Sequence, residues 1–215
     1  MPPSFLPLIE VSDNFKLAGL PPRDTPVSFC LSLNPRSAVG LIFPDIVNAL
    51  QVDNRHNKSE GRKLSWVFSK TDGTPALNPE DEIKSVCFAE HFTTPEARTI
   101  VLRDLCHRWR VDGTFPSVLG GNLWRDELYP AYKNPFGPHD QSEAGRLNKA
   151  FDLERSASPL FGLVQSGVHL NIYHPEVRGT DGEVVEELKM WVPTRSKSKQ
   201  KYVVPYCFVL LICTY

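Results

Sequence analysis

Apolar residues along this chain fall mostly in short runs bounded by turn residues, and only two stretches space them as a helix would. Val27 to Leu33 and Ala38 to Phe43 are β-favouring runs separated by Asn34-Pro35-Arg36-Ser37, a turn sequence. Pro44-Asp45 suits a helical first turn, with Ile46, Val47 and Leu50 on one face. Residues 27–52 are therefore expected to give two strands and a helix. The stretch from Asp53 to Arg62 is polar and is expected to be exposed. Leu64 to Phe68 reads as a further short strand, closed by Thr71-Asp72-Gly73-Thr74-Pro75.

The strongest helical pattern follows His91. Thr94 can cap, Pro95 fits the first position and Glu96 suits the positive end of the dipole. Ala97, Val101, Leu102, Leu105, Cys106 and Trp109 share one stripe, and Asp112-Gly113 ends it. Arg98, Arg103, Asp104, Arg108 and Arg110 fall largely outside that stripe. Residues 94–110 are expected to form the longest helix. Trp124 to Tyr129 reads as extended, and 133–149 as a loop rich in Gly, Pro and Asn. Val168, Leu170 and Ile172 alternate with His169, Asn171 and Tyr173, the period of a half-buried strand. That strand is expected to pair antiparallel with Leu188 to Val192 across Gly179–Gly182. The mixture predicts an α+β fold.

Composition narrows the function classes. Of 215 residues, 41% are hydrophobic and 23% charged, enough for a packed core. The 19 prolines and 13 glycines exclude a coiled coil or simple bundle. A net charge of -1 argues against nucleic acid as a partner, because displacing counterions needs excess positive charge. From Leu188 to Tyr215 there are five basic and no acidic residues; against a total of -1, the first 187 carry -6. The cysteines are Cys30, Cys87, Cys106, Cys207 and Cys213; an odd number without CxxC predicts reduced thiols and a cytoplasmic location. Val203 to Cys213 is the one strongly apolar run, far short of the roughly 20 residues that span a bilayer, so no membrane is expected.

Candidate chemistry is sparse. Arg195, Lys197, Lys199 and Lys201 all occupy odd positions, so an extended chain would turn them to one face, where they could bind a diphosphate. The competing explanation is a solvated edge strand whose lysines discourage pairing. Cys87, His91, Cys106 and His107 suggest zinc by type, but Cys106 belongs to the apolar stripe and His107 does not, so four ligands would not converge. Ser156 and Ser158 lack a nucleophile context such as GxSxG. Glu154 and Arg155 read as structural.

Four blocks, taken together in order, carry a family resemblance. They are Trp124-Arg125-Asp126-Glu127-Leu128-Tyr129-Pro130, Glu154-Arg155-Ser156-Ala157-Ser158-Pro159-Leu160-Phe161-Gly162, Gly167-Val168-His169, and Trp191-Val192-Pro193-Thr194-Arg195-Ser196-Lys197-Ser198-Lys199-Gln200. The chain resembles the thiamine-pyrophosphokinase-related Nudix hydrolases, fungal and plant proteins with an N-terminal domain ahead of the Nudix domain. The resemblance implies an N-terminal α+β domain over 1–155, a partial Nudix domain over 156–202 beginning its α/β/α sandwich with a β-hairpin, and an aberrant apolar tail over 203–215. It implies Mg²⁺- or Mn²⁺-dependent cleavage of a diphosphate-containing small molecule, such as 8-oxo-dGDP or oxythiamine diphosphate. Arg195, Lys197, Lys199 and Lys201, by their shared face, are the residues expected to bind that substrate.

The family's Nudix box, Gx5Ex7REUxEExGU, does not occur in these 215 residues. Glu183-Val184-Val185-Glu186-Glu187 fits its EUxEE core, but Val168, His174, Gly182 and Lys189 stand where the other defining residues should be. An exposed acidic turn is the better account. The expectation is a truncated family member without catalytic or metal-binding residues of its own. The alternative is a non-catalytic module that binds a phosphorylated ligand or a protein.

Overall fold

The computed structural model describes Pro21, residues 24–78 and 81–165, and the backbone of 172–180 and 183–191. The fold is α+β. Strands β1 (Val27–Cys30) and β2 (Ala38–Ile42) form an antiparallel hairpin, and the turn between them is held by Asn34, whose side chain accepts from the Arg36 amide at 3.0 Å. Helix α1 (Pro44–Ser59) starts on Pro44 with Ile46, Val47 and Leu50 buried, as their spacing predicts. It does not stop there. The polar stretch after residue 52 stays helical to Ser59, and Asp53 and Asn57 are buried rather than exposed. Their partners, given below, replace the water they lose.

Strands β3 (Trp66–Ser69) and β4 (Ser85–Phe88) complete a mixed sheet of order β2-β1-β4-β3, in which β1 runs parallel to β4 and the other pairs are antiparallel. The same face of the sheet carries Phe29, Trp66, Val86 and Phe88 into the core. Helix α2 (Pro95–Asp112) is the longest among the described residues. Thr94 Oγ1 accepts from the Ala97 amide at 3.2 Å, and Gly113 closes the helix at φ 68°, donating to Trp109. Its buried stripe is Val101, Leu102, Leu105, Cys106 and Trp109.

Arg98 departs from the expectation. It is buried, because its guanidinium donates to the carbonyls of Ala150 at 3.3 Å and Thr93 at 3.1 Å and lies 5.8 Å from the Phe88 ring centre.

After the one-turn helix α3 (Pro116–Leu119), strand β5 (Leu128–Tyr132) pairs antiparallel with β6 (Lys149–Glu154). The extended stretch expected at 124–129 is thus a strand only from Leu128, and Asp126 breaks it with φ 54°. The 133–149 segment is not all loop. It contains α4 (Glu143–Asn148), capped by Ser142, and leads into β6 at Lys149. Strand β6 lies against α2, where Thr99 Oγ1 accepts from the Asp152 amide at 2.8 Å. Phe29 is the hub of the core, its ring centre 5.2 Å from Phe161, 5.4 Å from Phe88 and 6.2 Å from both Trp66 and Phe151.

The chain divides into two compact units. Trp124–Val164 and the described chain up to and including Gly120 make up the first; Gly121–Leu123 and the chain from Gln165 belong to the second. In the second, β7 (Ile172–Thr180) pairs antiparallel with β8 (Glu183–Trp191), from Ile172↔Trp191 to Thr180↔Glu183. The expected pairing holds where it is described, at Ile172 and Tyr173 opposite Trp191 and Met190. Residues 168–171 and 192 lie outside the described residues. Glu183 to Glu187 is strand rather than turn, because it is the partner that continues the ladder to Glu176–Thr180.

Candidate functional site

The sequence-assigned diphosphate-binding residues, Arg195, Lys197, Lys199 and Lys201, lie outside the described residues, as do His169 and the 203–215 segment. The remaining candidates are placed, and the fold gives most of them structural work. The first two resemblance blocks face each other across β5 and β6. Arg155 donates from one terminal nitrogen to both carboxylate oxygens of Glu127, at 2.9 and 3.0 Å. Buried Glu154 accepts from the Arg125 amide at 3.0 Å, the Ser156 amide at 3.1 Å and the Ser156 hydroxyl at 2.9 Å. These groups tie the loop before β5 to the turn after β6. Ser158 is wholly buried. Trp124 is held between two side chains of α2, the Arg110 guanidinium 4.8 Å and the His107 ring 4.9 Å from its ring centre.

Cys87 and Cys106 are buried on different elements, His107 is engaged with Trp124, and His91 lies against Phe92 at 4.1 Å. The fold does not bring the four together. Burial pushes the Cys30 thiol up, pushes Cys87 up to about 12 with a further rise from neighbouring Cys30, and pushes Cys106 up with a contribution from Glu154. Such thiols are protonated and poor ligands or nucleophiles. Among the described residues no group of three or more His, Cys, Asp or Glu side chains is placed to hold a metal ion. Among them, too, no helix is long and apolar enough to cross a membrane.

The most built-up polar feature was not singled out from sequence. Asp53, with 3% of its side chain exposed, sits where α1 passes α2. Its Oδ2 accepts from Trp66 Nε1 at 2.8 Å and from Asn57 Nδ2 at 3.4 Å, and its Oδ1 pairs with Arg108. Asn57 also donates to Ser65 Oγ at 3.1 Å. One residue along α1, Asn54 clips β3, accepting from the Trp66 amide at 3.1 Å and donating to its carbonyl at 2.7 Å. A buried carboxylate is tolerated only when donors replace its water, and this one has three. Arg108, placed by its spacing outside the apolar stripe, therefore does not simply face solvent.

Above this pair opens a cleft of about 490 Å³ between α1 and the end of α2. Ala49, Val52, Trp109 and Val111 form apolar walls, Asp53 and Arg108 are on its lining, and His56, His107, Asp112 and Thr114 complete it. The sequence signal available was the pair of polar residues at positions 53 and 57, which continue the apolar face of Ile46, Val47 and Leu50 by whole turns. No known family model matches the chain, and no curated protein matches it.

Proposed function

We propose that these residues serve diphosphate recognition in a Nudix hydrolase of the thiamine-pyrophosphokinase-related family, and that they do not carry out the hydrolysis unaided. The run from Trp191 to Gln200 carries this reading. It is one of the two specific blocks of the resemblance, it begins where β8 ends, and it holds three of the four same-parity cations. The ligand would be a nucleoside or thiamine diphosphate derivative, held by Arg195, Lys197, Lys199 and Lys201. The catalytic half of the family reaction needs carboxylates presented together by a helix to hold Mg²⁺ or Mn²⁺. The one acidic segment that mimics the box, Glu183 to Glu187, lies on strand β8, so it does not fit the metal. Attraction of a diphosphate without an activated water does not lower the chemical barrier.

Titration of the full chain with pyrophosphate tests the reading. Weak binding is expected at low salt and should fade as salt rises, since exposed charges are screened over a Debye length of about 8 Å at physiological ionic strength. A variant with alanine at 195, 197, 199 and 201 should lose it; equal binding by both chains would overturn the proposal. With Mg²⁺ or Mn²⁺ and 8-oxo-dGDP, no phosphate release above the metal-free control is expected. Release that disappears in the Glu186→Gln, Glu187→Gln double variant would show that the acidic strand is a site after all.

A further inference from the structure

We propose that the cleft between α1 and α2 binds a small molecule carrying one anionic group on an apolar body. Its volume of about 490 Å³ suits a ligand of modest size, because small-molecule sites run from about 300 to 1,000 Å³. Its walls ask for an apolar body. Val52 and Val111, 53% and 84% exposed, flank the opening from the two helices, with Ala49 and Trp109 deeper in.

Its floor asks for an acceptor. One terminal nitrogen of the Arg108 guanidinium is committed to Asp53. Among the described residues the other terminal nitrogen and Nε have no hydrogen-bond partner, and 28% of the side chain is open. Asp53 does not monopolise the guanidinium, because Trp66 and Asn57 also satisfy it. An apolar body that fills the cleft strips water from the free donors of Arg108, and buried donors left without acceptors are costly. A carboxylate or sulfonate on that body gives the free terminal nitrogen a charge-assisted hydrogen bond. Asp112 on the rim opposes an anion, but it is exposed and its field is screened, whereas Arg108 acts from the shielded floor.

The probe pair is anilinonaphthalene sulfonate and phenylnaphthylamine, which share one ring system and differ in the anion. Fluorescence titration of the full chain should show saturable, single-site binding of the sulfonate, tighter than the neutral compound by about tenfold, the worth of one charge-assisted contact. Val111→Asp and Val111→Ser each take an apolar wall from the opening and should weaken both compounds several-fold. Both should melt like the parent chain. Arg108→Lys keeps a cation beside Asp53 but removes the second terminal nitrogen, so it should weaken the sulfonate selectively. Equal affinity for the two compounds would overturn the anionic assignment, and sulfonate binding unchanged by Val111→Asp would overturn the cleft. The alanine variant at 195, 197, 199 and 201 should bind the sulfonate normally. Loss of dye binding in that variant would also overturn the cleft and leave the diphosphate proposal standing.

Discussion

Asp53 and the three described cysteines put charge chemistry in the core in opposite ways. Asp53 is buried with donors from Trp66, Asn57 and Arg108. Removing one partner of such a pair commonly costs about 3–5 kcal/mol, mostly the penalty of the charge left behind. Cys30 and Cys87, by contrast, stand opposite each other on parallel β1 and β4 and stay neutral, their thiols raised chiefly by burial. The sign of the linkage follows. A thiol raised in the folded state holds its proton where the unfolded chain has lost it, so its contribution is complete below the ordinary value of 9.0 and is lost as pH rises toward the folded value of about 12. Between those values Cys87 should cost stability at up to about 1.4 kcal/mol per pH unit. Denaturant unfolding at a series of alkaline pH values should show a shallower decline for Cys87→Ala than for the parent chain. Parallel declines would mean that this thiol does not drive alkaline unfolding.

At the scale of elements, the turn after β6 is fixed by two glycines on facing segments. Gly162 sits at φ +54°, and its carbonyl accepts from the Leu41 amide at 3.3 Å. A Cβ on Gly162 would overlap the Leu41 carbonyl oxygen, and one on Gly40 would overlap the Phe161 carbonyl oxygen. Gly113 shares the left-handed conformation at the end of α2 but has open space around it. Gly113→Ala should therefore cost only the strain, about 1–2 kcal/mol. Gly162→Ala adds backbone overlap and should cost about 2–5 kcal/mol. Equal shifts in urea midpoint would show that docking onto β2 contributes nothing. Helix α2 was legible in full because its cap, stripe and closing glycine are all local signals. The continuation of α1 past Val52 was not, since Asp53 and Asn57 look like solvent-facing residues until Trp66 and Arg108 reach Asp53 from 13 and 55 residues away and Ser65 meets Asn57. The six residues of α4 are too few to show a period. The cleft was hidden for the same reason as the buried carboxylate: it exists only where two helices distant in sequence pass each other.

For the whole molecule, the α+β class follows from the alternation of strand and helix signals, but the edge of the first compact unit does not coincide with any composition shift. The resemblance divides the chain at 155/156, while the unit extends to Val164. What lies between the two boundaries is packed into the core: Ala157, Ser158 and Phe161 are wholly buried, and Phe161 touches Phe29 and stacks on Trp109 at 5.9 Å. Replacing one buried phenylalanine by alanine costs about 3–5 kcal/mol, a large share of the 5–15 kcal/mol that holds an ordinary domain together. Ending the chain at Arg155 removes Phe161 and Ala157 outright, frees Glu154 from Ser156, and strips Leu41 of its Gly162 acceptor. Ending it at Val164 removes none of these, since among the described residues every buried apolar residue of that core lies between Phe29 and Phe161. Residues 1–164 should therefore show near-ultraviolet circular dichroism from fixed aromatic rings and one cooperative thermal transition. Residues 1–155 should keep helical signal in the far ultraviolet but lose the aromatic signal and the sharp transition, as a collapsed chain without specific packing does. Two equally sharp transitions would mean that the turn after β6 is a passenger on this core rather than a part of it.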